Sequence, residues 1–177
     1  SLMRATRKNE AELEWLVRKL EAKPPHRVPG TAVFLTGDPT AAPTALMHNL
    51  KHNRVLHEHN IILTIKTEDT PRVPRHERIE IDTVGDRFIR VIAHYGFMET
   101  PSVPKIIEHC RRKDLNIEIS ATSFFLSRRS LRPTLKSEMP RWQELLFIWL
   151  AGRADDATEF FRIPNDRVVE VGTQVMV

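Results

Sequence analysis

The sequence predicts an α/β fold: a mixed β-sheet with packed helices, containing a β-α-β crossover and a β-hairpin. Three stretches predict it. Val28 to Asp69 reads as strand, turn, helix, strand, with the apolar run Ala32-Val33-Phe34-Leu35 bounded by Gly30 and Gly37. Its second strand spans Asn60–Thr67, with Ile61-Ile62-Leu63 as the buried half. Two strands joined through a helix of that length are expected to run parallel, as a right-handed crossover. Further on, Arg78–Asp82 and Arg87–Tyr95 flank Val84-Gly85-Asp86, and a short loop with glycine between two such runs makes a hairpin. Thr100-Pro101-Ser102 then opens a helix whose Val103, Ile106, Ile107 and Cys110 fall at core spacing.

In chain order, Asn9–Lys23 is the first predicted helix, with Leu13, Leu16, Val17 and Leu20 on one face and Pro24-Pro25 as its stop. Trp15 points away from that face, where Arg18 can cover it or a partner can meet it. The helix of the central unit carries Leu46, Met47 and Leu50 on one side and His48, Lys51 and His52 on the other. Thr70–Arg75 is a stiff polar connector. In the hairpin, Ile79 and Ile81 alternate with Glu80 and Asp82, so its first strand has one wet face and its second strand is the more central. Arg111-Arg112-Lys113 suits the negative pole at the end of the Val103 helix. Ile117–Leu126 is a strand followed by a basic segment, Ser127–Lys136. Pro140–Leu150 is a strongly apolar helix and Ala157–Phe161 a helical turn. Arg167–Val175 closes the chain as a strand with Gly172 as a bulge.

A chain of 177 residues with 41% hydrophobic and 28% charged residues is about one domain with a real core. The longest apolar run, Leu145–Ala151, falls short of the ~18 residues that cross a bilayer. Ser1-Leu2-Met3 carries no secretory pattern and reads as the start of an excised domain. The division expected is a connector helix over residues 1–25 and an α/β domain over 26–177. Net charge is +4 and the pI about 9.5, which suits a basic soluble protein, a nucleic-acid binder or a neighbour of anionic lipid. One cysteine, Cys110, excludes an internal disulfide and a multi-cysteine metal site, and its place on an apolar stripe makes it a buried structural thiol.

A resemblance is carried by specific strings. VPGTAVFLT, ALMHNLKHNRVLHE and the strand ending TEDTPRVP are similar to the C-terminal cytoplasmic domain of the KUP/HAK/KT potassium uptake transporters. Tyr95-Gly96-Phe97-Met98-Glu99, Ser123–Arg128 and Arg167–Val175 resemble the same family, so the likeness runs from Arg27 to the end. It implies a parent protein in the bacterial inner membrane that moves potassium inward with proton coupling. This piece would be its soluble part on the cytoplasmic side, with no permeation pathway of its own and a structural or regulatory role. The partners implied are the membrane-spanning part of the same protein, a homodimer mate and anionic lipid headgroups. No ligand residues follow from it.

The residues themselves offer few sites. His48 and His52 are four apart on one helical face, as in zinc-binding helices, but Asn49 stands where HExxH needs glutamate. A third ligand would have to be His57, His59 or a distant carboxylate. Thr36-Gly37-Asp38 follows a strand where doubly wound folds bind ligands, yet the turn has one glycine and two prolines, so Asp38 reads as a turn former. Thr36–Thr44 with nearby cations is the site of the alternative reading, a nucleotide- or anion-sensing regulatory module. Arg128, Arg129, Arg132, Lys136 and Arg141 form the densest basic cluster, read as a solvated loop or a place for lipid headgroups or a regulatory anion. Nucleic acid is disfavoured, because Phe124 and Phe125 sit in an apolar strand and not among the cations. Asp155-Asp156 reads as a helix cap. No catalytic, cofactor-binding or metal-ligating residue is assigned, no cofactor is expected, and nothing demands an enzyme.

Overall fold

The computed structural model describes residues 12–132 and 161–176. The predicted helix Pro140–Leu150, the pair Asp155-Asp156, Lys136 and Arg141 lie outside the described residues. So does the Ala157–Phe161 turn up to Phe161.

The elements are α1 (Leu13–Ala22), β1 (His26–Leu35), α2 (Thr44–His52), β2 (Val55–Glu68), β3 (Ile79–Val84), β4 (Phe88–Gly96), α3 (Val103–Arg112), β5 (Thr122–Arg132) and β6 (Val168–Met176). The described strands form one six-stranded sheet in the order β3-β4-β2-β1-β5-β6. β1 and β2 pair in parallel through the predicted crossover, and β2–β4, β1–β5 and β5–β6 are also parallel. Only β3 runs antiparallel, on β4, which makes the sheet mixed and the hairpin real. β3 is the edge and β4 the inner strand, as the wet face of the first and the apolar character of the second require.

Alternation along the strands sends successive side chains to opposite faces. Val33, Ile61, Leu63, Val91 and Phe124 form one core with the α3 stripe Val103, Ile106, Ile107 and Cys110. Ala32, Phe34, Leu56, Ile62, Phe88 and Phe125 form the other with Leu13, Leu16 and Val17 of α1 and Ala45 and Leu46 of α2. Phe34 and Phe125 stack across β1 and β5 with ring centroids 4.8 Å apart. The result is three layers, with helices on both faces of the sheet.

Several boundaries differ from the sequence reading. β2 starts at Val55, not Asn60, because the first residues of β1 supply it with partners, His26 opposite Val55 onward. β5 starts at Thr122, since Ile119–Ala121 is a 3-10 turn, and it runs on through the basic stretch to Arg132 because β6 pairs with it residue for residue. That unbroken register passes Arg128 opposite Gly172, so Gly172 is no bulge. The irregularity lies instead in β1 between Val28 and Thr31, where Gly30 adopts φ +99°, the left-handed region open to glycine. Met47, placed on the apolar side of its helix, is exposed, and Asn49 is buried in its stead. Asn49 can be inside because its side-chain amide donates to Val55 O and its oxygen accepts from Asn53. Trp15 is exposed as expected, but the cation over its ring is Lys19, one turn on, and not Arg18.

Candidate functional site

β1, β2, β4, β5 and β6 run in one direction, so their ends form a carboxyl edge, and the order of the sheet marks a switch point there. From β1 the chain passes through α2 to β2 on one side, while β5, reached through α3 on the opposite face, lies on the other. Doubly wound sheets bind ligands outside such a point. The loop that occupies it is Thr36–Pro43. Asp38 Oδ1 accepts from Thr40 N at 2.9 Å and from Thr40 Oγ1 at 2.7 Å, which is the work of a turn former. α1 begins against this same loop, with Leu13 N donating to Thr40 O and Glu12 bridging Ala41.

The tightest polar construction on the carboxyl edge is the turn after β4. Glu99 Oε1 accepts from Arg78 Nη2 at 2.6 Å, and Oε2 accepts from Val73 N at 3.0 Å and Gly96 N at 2.9 Å. The same Arg78 Nη2 donates to Val73 O at 2.6 Å, and the guanidinium lies 4.6 Å from the Tyr95 ring centroid. Burial opposes ionisation of Glu99, but the bonds from Arg78, Gly96 and Val73 together outweigh it and bring its pKa from 4.5 down to about 2. Gly96 is required by contact: a methyl there would overlap the Pro71 carbonyl.

Beside this turn opens a cleft of about 820 Å³ between the Glu68–Glu77 connector, β3 and the end of α3. His94 stands in it between two carboxylates, Glu68 at 2.5 Å from Nδ1 and Glu80 at 3.0 Å from Nε2. The second contact is an ion-pair distance without hydrogen-bond alignment. Lys113, just past α3, donates to Ile79 O at 2.6 Å and fastens the helix to the edge strand. Level with the end of β1, Arg90 gathers Asp82 at 2.7 Å, Glu14 of α1 at 3.3 Å and Pro39 O of the Thr36–Pro43 loop at 3.2 Å.

The residues singled out in the sequence are scattered by comparison. The His48 and His52 rings lie 5.6 Å apart on α2, while His57 packs edge-to-face on Phe125, its pKa lowered by burial. Among the described residues no three His, Cys, Asp or Glu side chains are grouped to hold a metal. Cys110 is buried in the α3 core and its thiol is pushed up to about 11 by that burial, so it is held as the neutral thiol. Arg128 is exposed and pairs with Glu170 at 3.6 Å, and Arg129 and Arg132 follow it along β5. Sequence reasoning missed Glu99, Arg78, His94 and Glu68. Only Glu99 and Glu68 carried a signal, as members of the Tyr95–Glu99 and TEDTPRVP strings.

The family description "K+ potassium transporter C-terminal domain" matches residues 29–177. The chain belongs to this family. It is 56% identical over 176 residues to the probable potassium transport system protein Kup 2 of Rhodopseudomonas palustris (strain BisA53), covering 99% of this chain and 28% of that protein. It is 54% identical over 172 residues to the probable potassium transport system protein Kup of Caulobacter vibrioides (strain NA1000 / CB15N), covering 97% of this chain and 26% of that protein. The chain thus spans about a quarter of the length of the curated relatives it matches. No solved structure matches it. Among the described residues no helix is long and apolar enough to cross a membrane.

Proposed function

We propose that this chain is the C-terminal domain of a potassium uptake protein of the bacterial inner membrane, lying on its cytoplasmic side. The observation that carries the reading is the identity of 56% across 99% of the chain to a protein named for potassium transport. Its role is structural or regulatory and not catalytic, and permeation belongs to the part of the protein outside this chain. Two closed apolar cores and the lack of a crossing helix among the described residues support that division. A net charge of +4 and a lone buried cysteine suit the cytoplasmic face. The basic run Arg128–Arg132 at the end of β5 is the place for anionic headgroups, and a second copy of the chain is a further partner. Uptake by the whole protein is taken to be coupled to protons. The test is complementation: the full-length protein should restore growth on low potassium to a bacterium lacking its own uptake systems, and an uncoupler of the proton gradient should abolish uptake. Growth that is not restored, with the protein present in the membrane, would overturn the reading.

The switch point at Thr36–Thr44 favours a second reading, a nucleotide- or anion-sensing module. A saturable rise in melting temperature with an adenine nucleotide, lost when Thr36 and Thr40 are replaced by valine, would favour it.

A further inference from the structure

Among the described residues five large hydrophobic side chains stand exposed, and two of them, Phe97 and Met98, lie in the turn after β4 at the carboxyl edge. Phe97 and Met98 are adjacent and the most open of the five, at 60% and 68%. They are also firmly mounted. Phe97 N and Met98 N donate to Thr70 O and Pro71 O at 3.0 and 3.1 Å, and Glu99 N closes the turn on Gly96 O at 3.0 Å. The Glu99 carboxylate then ties Gly96 and Val73 to Arg78 beneath. The bonds fix the backbone from which both side chains project into solvent. Large apolar groups held rigidly in water are the pattern of an anchor awaiting a partner.

The surroundings say which partner. The Thr70–Val73 segment that grips the turn is also a wall of the neighbouring cleft, whose rim carries Glu68, Asp69, Glu77 and Glu80 against Arg72 and Lys113. The flank is acidic on a chain that is basic overall. An anionic bilayer surface would be repelled there. The cytoplasmic loops of membrane proteins, rich in Lys and Arg, would be attracted.

Connectivity points the same way. The family is a C-terminal domain, and the chain covers only 28% and 26% of two of its relatives, so a much larger body precedes it in the whole protein. The described chain enters the fold at Glu12, bridged to Ala41 in the loop after β1, at the carboxyl end of that strand and level with Val91 of β4, from which β4 runs on to the apolar turn.

Resting on the reading of this chain as a transporter domain, we infer that the carboxyl edge is its docking surface for the membrane-embedded remainder of the same polypeptide. Phe97 and Met98 seat in an apolar pocket of that body, and the Glu68–Glu80 cleft receives its basic loops.

The test uses the full-length protein in bacterial membranes, with cysteines upstream of the domain replaced. Met98→Cys and, as control, Asp86→Cys in the exposed β3–β4 turn at the opposite end are labelled with a benzophenone maleimide; Cys110 is buried and stays unlabelled. On illumination, position 98 should capture peptides from the part preceding the domain at least fivefold more than position 86. Equal capture from both would overturn the inference, as would capture by position 98 of only lipid, a second copy, or residues 133–160 of its own chain. The double variant Phe97→Ser with Met98→Ser touches neither core, and should raise the rate at which protease frees the domain from the membrane several-fold. An unchanged rate would also overturn it. Potassium uptake, measured in parallel, separates the two ideas: uptake without the cross-link sinks only the docking surface, and a cross-link without uptake sinks only the transport reading.

Discussion

Replacing Glu99 by glutamine keeps the shape of the turn after β4 and removes its charge. In the native fold the carboxylate is 19% exposed and faces the Arg78 guanidinium, itself 11% exposed, at 2.6 Å. A pKa lowered from 4.5 to about 2 means that the folded protein binds this proton far more weakly than the unfolded chain. At about 1.4 kcal/mol for each tenfold change in proton affinity, that corresponds to about 3 kcal/mol of stability, less some screening by water at the exposed fifth of the side chain. The sign follows from the direction. The contribution is whole above the unfolded value near 4.5 and is lost as pH falls through the folded value near 2. Glu99→Gln should therefore lower the unfolding free energy by about 2–3 kcal/mol at pH 7, since it also leaves the buried Arg78 without its counter-charge. At pH 2.5 the two proteins should differ by under about 1 kcal/mol. Urea unfolding of both at each pH, compared at matched ionic strength, gives the numbers. A loss of equal size at pH 7 and pH 2.5 would refute the charge-based account and leave only altered packing.

Gly96→Ala drives a methyl into the Pro71 carbonyl and should cost about 1–3 kcal/mol in the same urea assay, with Phe97 and Met98 losing their mount. Purified protein grown without added zinc should carry well under one equivalent of metal; stoichiometric zinc lost with His52→Ala would reverse that view of the α2 histidines. Melting should be the same in potassium and sodium chloride at matched ionic strength, because a bare alkali ion needs a cage of several oxygens, and a potassium-only, saturable rise would make the domain an ion sensor. If residues 1–25 act as a connector, the amides of α1 should exchange through an opening below the global unfolding energy. That opening still exposes Leu13, Leu16 and Val17, at about 5 kcal/mol or more, and protection equal to β1 and β2 would join the helix to the body of the domain.

Local pattern alone determined much of this protein. The run Ala32–Leu35, the alternation at Ile79–Asp82 and the stripe Val103, Ile106, Ile107, Cys110 name their own elements, because side-chain period is set by the backbone within a few residues. The HNLKHN and YGFME strings reported the family in the same direct way. Where pairing decides, the sequence fell short. β2 begins at Val55 because β1 lies alongside it, β5 continues through three arginines because β6 does, and a bulge forms at Gly30 and not at Gly172. The order β3-β4-β2-β1-β5-β6, and with it the switch point, also lay beyond any local signal. The site was the least legible part. Glu99 is 21 residues from Arg78 and 26 from Val73, and His94 is 26 from Glu68. Isolated charges at such separations look like ordinary surface residues in a sequence. Only the folding of the connector against the end of β4 brings them within hydrogen-bond distance, and that proximity, by withdrawing them from water, turns a scattering of charges into a rigid mount for Phe97 and Met98.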